Sequence, residues 1–506
     1  MNINKLLCGY FPVQFELVLL LTVFLFLTAA LLPPPVYSQA QATVDEYFKL
    51  GVEYVQSAKF DEAEKMFKKV IELDLGHVDA HVNLGNIYML RSNFQAAMDE
   101  FTKVINIAPN NDAAYSNIGL IYMKGGAFSK AIEMFQKAAE INPGSLNAHY
   151  NIANCYLLFN SPQNAENSIK KALAIKPDDI ESKIVLGKIY SSAKKFDEAK
   201  KIFDEIIAAD ASNLDAFNEL GLIHLEKKEN EKALACFEKV KTNKNLEKAS
   251  KAFYNMAICL ERLKKDAEAR EAYTESIKRN PNYAAVRNDY GSFLFNGGKL
   301  EEAQFQFKEA ITIDPKYSNA AVNLAKTYYI QKRYEEAQQV LTVFLTKKPK
   351  DPIIYDQLGL VYYAKKEFDK AKTAFDLAIE NDPTLASAHY NLGVLYDEVK
   401  RYDNALSEYK LALLFDKTHI LAMNNLGYLY LNLRKFDEAI DILKKAIEIN
   451  QKFTWAHYNL ALAYYNSGKK DEALTQLNCV LEFEDEGSPL SDAAKKAKSS
   501  IKSQKR

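Results

Sequence analysis

The sequence predicts an all-α fold: a right-handed α-solenoid of about thirteen stacked helix pairs, closed by a C-terminal capping helix. Three columns of a 34-residue period carry that expectation. Glycine or alanine recurs at Gly51, Gly85, Gly119, Ala153, Gly187, Gly221, Ala257, Gly291, Ala325, Gly359, Gly393, Gly427 and Ala461, every interval being 34 except the 36 between Gly221 and Ala257. Twelve residues further on, alanine fills every unit from Ala63 and Ala97 to Ala439 and Ala473. Proline falls in a third column at Pro109, Pro143, Pro177, Pro281, Pro315, Pro349 and Pro383. Each column has a packing reason. Two antiparallel helices roughly 8–10 Å apart approach that closely only where their crossing residues are short. Proline ends the second helix because it lacks the donor and clashes with the preceding turn.

The elements follow in order. Residues 1–42 stand outside the repeats: a weakly positive start, an uncharged run Leu17–Leu32, Pro33-Pro34-Pro35 and the small-x-small pattern Ala40-Gln41-Ala42. This is the pattern of a signal peptide. Its rival is an N-terminal membrane anchor over residues 15–32, although a span usually needs about 17–25 apolar residues. Either reading places the repeats outside the cytoplasm, periplasmic or extracellular. With position one of the first unit at Val44, repeats 1–6 cover 44–247 and repeats 7–13 cover 250–487. The two extra residues near 241–251 are expected to lengthen a turn, and that stretch is a candidate hinge. Within a unit, two helices of about 14 residues are expected, each roughly 20 Å long. Acidic pairs such as Asp61-Glu62 and Asp437-Glu438 open the second helix, where carboxylates suit the positive end of the helix dipole. Residues 488–506 form a basic helix with Leu490, Ala493, Ala494, Ala497 and Ile501 at helical spacing. Its expected role is to cover the last apolar surface of the array.

The stretch Tyr355-x-x-Leu358-Gly359-x-x-Tyr362, Ala371-x-x-x-Phe375-x-x-Ala378 and Pro383 resembles the tetratricopeptide repeat unit. That resemblance implies a right-handed superhelix whose first helices line a concave groove, with positions two, five, six, nine, twelve and thirteen facing it. Position six is asparagine at Asn83, Asn117, Asn151, Asn255, Asn323, Asn391, Asn425 and Asn459. Asparagine costs about 0.5 kcal/mol or more against alanine in a helix, roughly 4 kcal/mol over the ladder by simple summation. The ladder is similar to that of O-linked N-acetylglucosamine transferases, where such amides hold an extended peptide by its backbone. A primary amide offers donors and an acceptor to any peptide bond. Repeat consensus without a ligand is the competing explanation. Tyrosines at positions five and twelve, among them Tyr254, Tyr390, Tyr458, Tyr329, Tyr363 and Tyr465, suit a binding surface that is apolar at one end and polar at the other. The chaperone-tail type of repeat uses lysine at position five. No repeat here has one, which argues against that activity.

Chemistry is sparse. His81, His149, His389 and His457 share position four on separate repeats, so one metal cannot gather them. His224 reads as a packed core residue. Cys155, Cys236, Cys259 and Cys479 form no C-x-x-C, and burial as small apolar side chains is their expected role. No H-E-x-x-H, G-x-x-x-x-G-K-[ST] or G-x-S-x-G occurs. The repeats occupy the chain up to Gly487, so no enzyme, metal or cofactor is expected. The 65 basic against 66 acidic residues give no electrostatic case for nucleic acid. The expected function is a non-catalytic exported scaffold that binds a protein or peptide partner in envelope assembly, secretion or polysaccharide export. The alternative is a targeting subunit of a separately encoded glycosyltransferase. Self-association is a further possibility.

Overall fold

The computed structural model describes residues 35–503, and every regular element among them is an α-helix. They alternate as the period requires: a first helix of 13 residues, as in Val78–Leu90, then a second of 14, as in Phe94–Ile107. The chain divides into two compact units, residues 1–279 and Asn280–Arg506. Within each, a helix packs on its neighbours in sequence, and first helices of consecutive repeats also touch. The fold is an all-α solenoid of helix pairs.

The alanine column is the crossing point. All thirteen alanines, from Ala63 to Ala473, are fully buried. Facing position eight stands the side chain at position 24. A Cβ on Gly85 would lie 2.7 Å from Phe101 Cε1, and one on Gly119 would lie 2.7 Å from Phe135 Cε1. Where position eight is Ala153, Ala325 or Ala461, position 24 is Ile169, Leu341 or Leu477. Ring and methyl share one space, and only repeat 7, with Ala257 over Tyr273, holds both.

Each first helix ends on a left-handed residue at position fifteen. Gly126, Gly298 and Gly468 do so freely, but Lys194, Lys228, Lys332, Lys366 and Lys400 adopt φ near +60° as well. The reward is a helix stop in which Lys366 N–H bonds Tyr363 O at 2.9 Å and Glu367 N–H bonds Tyr362 O at 2.9 Å. The acidic pairs at second-helix starts do more than meet the dipole. Asp197 accepts from Lys227 of the next repeat at 2.7 Å, and Asp61 pairs with Arg91 in the same way.

The register break lengthens the turn by one residue, to 241–245, and redistributes helix on either side of it. The second helix of repeat 6 stops early, at Asn230–Val240, and the next first helix starts early, at Leu246–Arg262. Asn245 caps the extension by accepting from Lys248 N–H at 3.0 Å. Buried Ser250 and Ser276 exchange hydrogen bonds of 2.8–3.1 Å within repeat 7. Helix has been transferred from one side of the turn to the other.

At the C-terminus Ser488 Oγ accepts from Ser491 N–H at 3.1 Å and starts the helix Pro489–Ser503. Leu490, Ala494 and Ile501 bury against Leu477 and Val480 of repeat 13, while Lys495 and Lys496 face solvent. This is the cap. The first helix begins at Pro35, ahead of the repeat frame. The apolar run Leu17–Leu32 lies outside the described residues. Among the described residues no helix is long and apolar enough to cross a membrane.

Candidate functional site

Positions two, six, nine and thirteen of a first helix share one face, because steps of four, three and four residues return to nearly the same direction. Positions five and twelve flank that face on one side. The asparagine ladder therefore lies along the middle of the first-helix face, and all eight of its members are half-buried or buried.

The structure shows what most of those amides hold. Asn117 Nδ2 donates to Asn86 Oδ1 at 3.3 Å, Asn391 Nδ2 to Asp356 Oδ1 at 2.8 Å, Asn425 Nδ2 to the Tyr390 hydroxyl at 3.3 Å, and Asn459 Nδ2 to Asn424 Oδ1 at 3.0 Å. Asn323 Nδ2 reaches both Asn288 Oδ1 at 2.9 Å and Ser292 Oγ at 3.3 Å. Each bond runs to position five or nine of the preceding repeat. Asn83 instead donates to Asp79 O in its own helix at 2.8 Å. No side-chain hydrogen bond of Asn151 or Asn255 occurs among the described residues. A hydrogen bond worth about 1 kcal/mol offsets the helix-propensity cost of asparagine. Asn117, Asn323, Asn391, Asn425 and Asn459 thus stitch each repeat to the one before it, and Asn83, Asn151 and Asn255 do not.

At position two, exposed large apolar side chains occur in the second unit alone. Ile353, Leu421 and Trp455 stand at position two with 43%, 49% and 54% of their surface exposed, Tyr428 at position nine and Ile330 at position thirteen. In the first unit position two holds Asp45, Asp79, Ala113, Asn147, Glu181, Asp215 and Lys251. The first unit is polar or small at position two, with Leu90 exposed at its position thirteen. The second unit offers an apolar stripe that includes the single tryptophan.

Polar groups lie beside that stripe. Asp356 is almost fully buried and accepts from Asn391 Nδ2 and from Ser387 Oγ at 2.9 Å. Burial pushes its carboxyl up, against the pull of those two donors. Asp397 is half-buried, and burial together with neighbouring Glu398 raises its pKa too. Tyr363 has Glu398, Tyr329, Asp397 and Tyr390 as electrostatic neighbours.

The histidines are structural. His81 Nδ1 lies 2.6 Å from Glu100 Oε2 and its Nε2 3.2 Å from Leu75 O. His389 repeats this with Glu408 at 2.7 Å and Pro383 O at 3.1 Å. His457 uses Gln476 and Gln451 O, and His149 Nε2 meets Pro143 O at 3.3 Å. Each ties a first helix to the loop before it. His224 is buried as expected but is also paired, with Glu229 at 2.6 Å. The four described cysteines are free thiols. Burial raises Cys155 and Cys259 to about 12 and Cys236 to about 11. Among the described residues no three potential ligands stand together to hold a metal.

Comparison with known proteins agrees with this architecture. Family models described as "Tetratricopeptide repeat" match residues 48–113, 122–189, 157–220, 214–245 and 374–407, and one described as "TPR repeat" matches 435–468. The model "Cilia and flagella-associated protein 70 middle TPR-like domain" matches 253–381. No curated protein matches the chain. Among solved structures, the Cut9–Hcn1 hetero-tetramer of the APC/C is 16% identical, with 90% of this chain and 96% of that one covered at a TM-score of 0.43. A repeat protein from Parabacteroides merdae is 16% identical over 50% of this chain and 99% of that one, with a TM-score of 0.44. The MamA protein is 25% identical over 33% of this chain and 91% of that one, with a TM-score of 0.31.

Proposed function

Since the chain belongs to the tetratricopeptide repeat family, a scaffold for protein–protein interaction, we propose that it is non-catalytic and holds an extended protein segment on the first-helix face of repeats 9–13. The observation that supports this reading is the exposed stripe of Ile330, Ile353, Leu421, Tyr428 and Trp455. Exposed apolar side chains set among polar ones suit a protein-binding surface. An extended segment suits a row of parallel helices because it presents anchors at regular intervals. The leader-like residues 1–42 support placing the scaffold outside the cytoplasm, cleaved free or held by residues 15–32, in an envelope, secretion or polysaccharide-export assembly. The asparagine ladder was the expected peptide contact in both the scaffold reading and the glycosyltransferase-targeting alternative; five of its eight amides hold the preceding repeat, so the proposed contact moves to the apolar stripe.

The test is selection of a random-peptide display library on the full chain. Enriched peptides are expected to share spaced apolar residues and to be lost on the Leu421→Ser/Trp455→Ser double variant. Peptides that enrich equally on that variant, or no enrichment at all, would refute it.

A further inference from the structure

Positions three and ten of a first helix form the surface that packs on the repeat before it. Ala80 and Ile87 cluster with Phe67 and Val70 of repeat 1, and Ala114 and Ile121 with Phe101 and Val104 of repeat 2. In repeats 2–13 every residue at position three is buried and none at position ten is charged. Repeat 1 breaks both columns: Glu46 stands at position three and Glu53 at position ten, and both are exposed. Neither makes an ion pair among the described residues. Lys49, the cation between them in sequence, sits at position six, on the first-helix face.

The helix Pro489–Ser503 stands where a fourteenth first helix would. Leu490 falls at position three and packs on repeat 13, and Ala497 falls at position ten. Position eight, which in a repeat faces its own second helix, is here Lys495. Lys498 and Lys502 follow three and seven residues later, on the same side of the helix. Lys495 meets Glu486 at 3.3 Å, an exposed partner; Lys498 and Lys502 make no ion pair among the described residues. Repeat 1 and the cap therefore carry opposite charge at equal spacing, since seven residues of helix separate each pair by about 10 Å. A surface that had only to be polar would take either sign at either place.

We propose that the repeat-1 surface of one copy docks on the cap of a second copy, with Glu46 and Glu53 against Lys495 and Lys502. The contact is heterologous, so it joins copies into open chains or a closed ring rather than symmetric pairs. Exposed ion pairs are individually weak and screened by salt, which makes the association reversible and confined to low salt. None of the stripe residues takes part, so this proposal and the proposed function stand or fall separately.

Sedimentation velocity on the full chain reads the contact. The weight-average sedimentation coefficient should rise with protein concentration at about 20 mM salt and return to the monomer value at about 0.5 M, where charges are screened within roughly 4 Å. Glu46→Lys/Glu53→Lys should weaken association at least tenfold, and Lys495→Glu/Lys502→Glu should do the same. Mixing the two variants should restore it, because each reversed surface then meets its opposite on the other protein; that recovery separates lost docking from a damaged fold. A wild type that stays monomeric at low salt, association that salt and both reversals leave unchanged, or no recovery on mixing would overturn the inference.

Discussion

Repeats 7 and 11 carry the same two-residue device, a tyrosine at position 24 and an acid at position twelve, with one methylene between them. Glu261 reaches the Tyr273 hydroxyl and seals the first-helix face of its repeat. Asp397 leaves the Tyr409 hydroxyl idle inside an otherwise well-filled core. A further difference lies overhead: Ala257 covers Tyr273, whereas Gly393 covers Tyr409. The comparison teaches that one methylene separates a tyrosine hydroxyl that is met by its acid from one that is not. An unmet buried hydroxyl costs about 1–3 kcal/mol, and repeat 11 carries that cost.

The largest effect should come from making repeat 11 more like repeat 7 overhead. Gly393→Ala presses a methyl against Tyr409 and is expected to destabilise by about 2 kcal/mol, read as a lower urea midpoint and faster amide exchange in Ala386–Glu398. Phenylalanine at position 24 then separates the two repeats by sign. Tyr273→Phe should lose about 1.5 kcal/mol with its charged hydrogen bond, while Tyr409→Phe should gain about 1 kcal/mol by removing an unmet hydroxyl. Changes of the same sign would break the comparison. Asp397→Glu should close repeat 11 as Glu261 closes repeat 7, raising stability by about 1 kcal/mol, read as a higher urea midpoint.

The smallest effect concerns pH. Burial and Glu398 raise the Asp397 carboxyl, whose other titratable neighbours are Tyr363 and Tyr409. The folded chain then keeps a proton that the unfolded chain has released. The stability this provides is complete below the unfolded carboxylate pKa and is lost as pH rises through the raised folded value. Asp397→Asn does not titrate. Its Tm should match the wild type at low pH and pull ahead as pH climbs through that window. A difference that stays constant with pH would contradict the assignment.

Much of the fold was legible because a 34-residue period repeats its own evidence. The alanine column and the proline column each place the helix pairs, and Leu490, Ala494 and Ile501 announce the cap by their spacing. The register break was misjudged because a count of two residues does not say which helix absorbs them; Asn245, a capping residue ahead of Leu246, was the signal. The left-handed stops escaped notice because glycine fills only Gly126, Gly298 and Gly468, while lysine is the commonest residue there. The asparagine ladder was visible, but its partners lie one repeat back, at Asn86, Asp356, Tyr390 and Asn424, and intrinsic propensity says nothing of a neighbour that far away. Tyr363 and Tyr390 were singled out from the sequence, whereas Asp397 and Tyr409 were not. Comparing position 24 with position twelve across the repeats would have found them, since tyrosine and acid occur together in the same two units.

Trp455, the single tryptophan, lies on the stripe assigned to the partner, so its emission tests the central claim most directly. Library-selected peptides titrated into the full chain should shift that emission to the blue with a saturable dependence on concentration, and Leu421→Ser should remove the shift. Peptides that bind with no change in Trp455 emission, or that shift it equally in Leu421→Ser, would place the binding surface elsewhere and contradict the account.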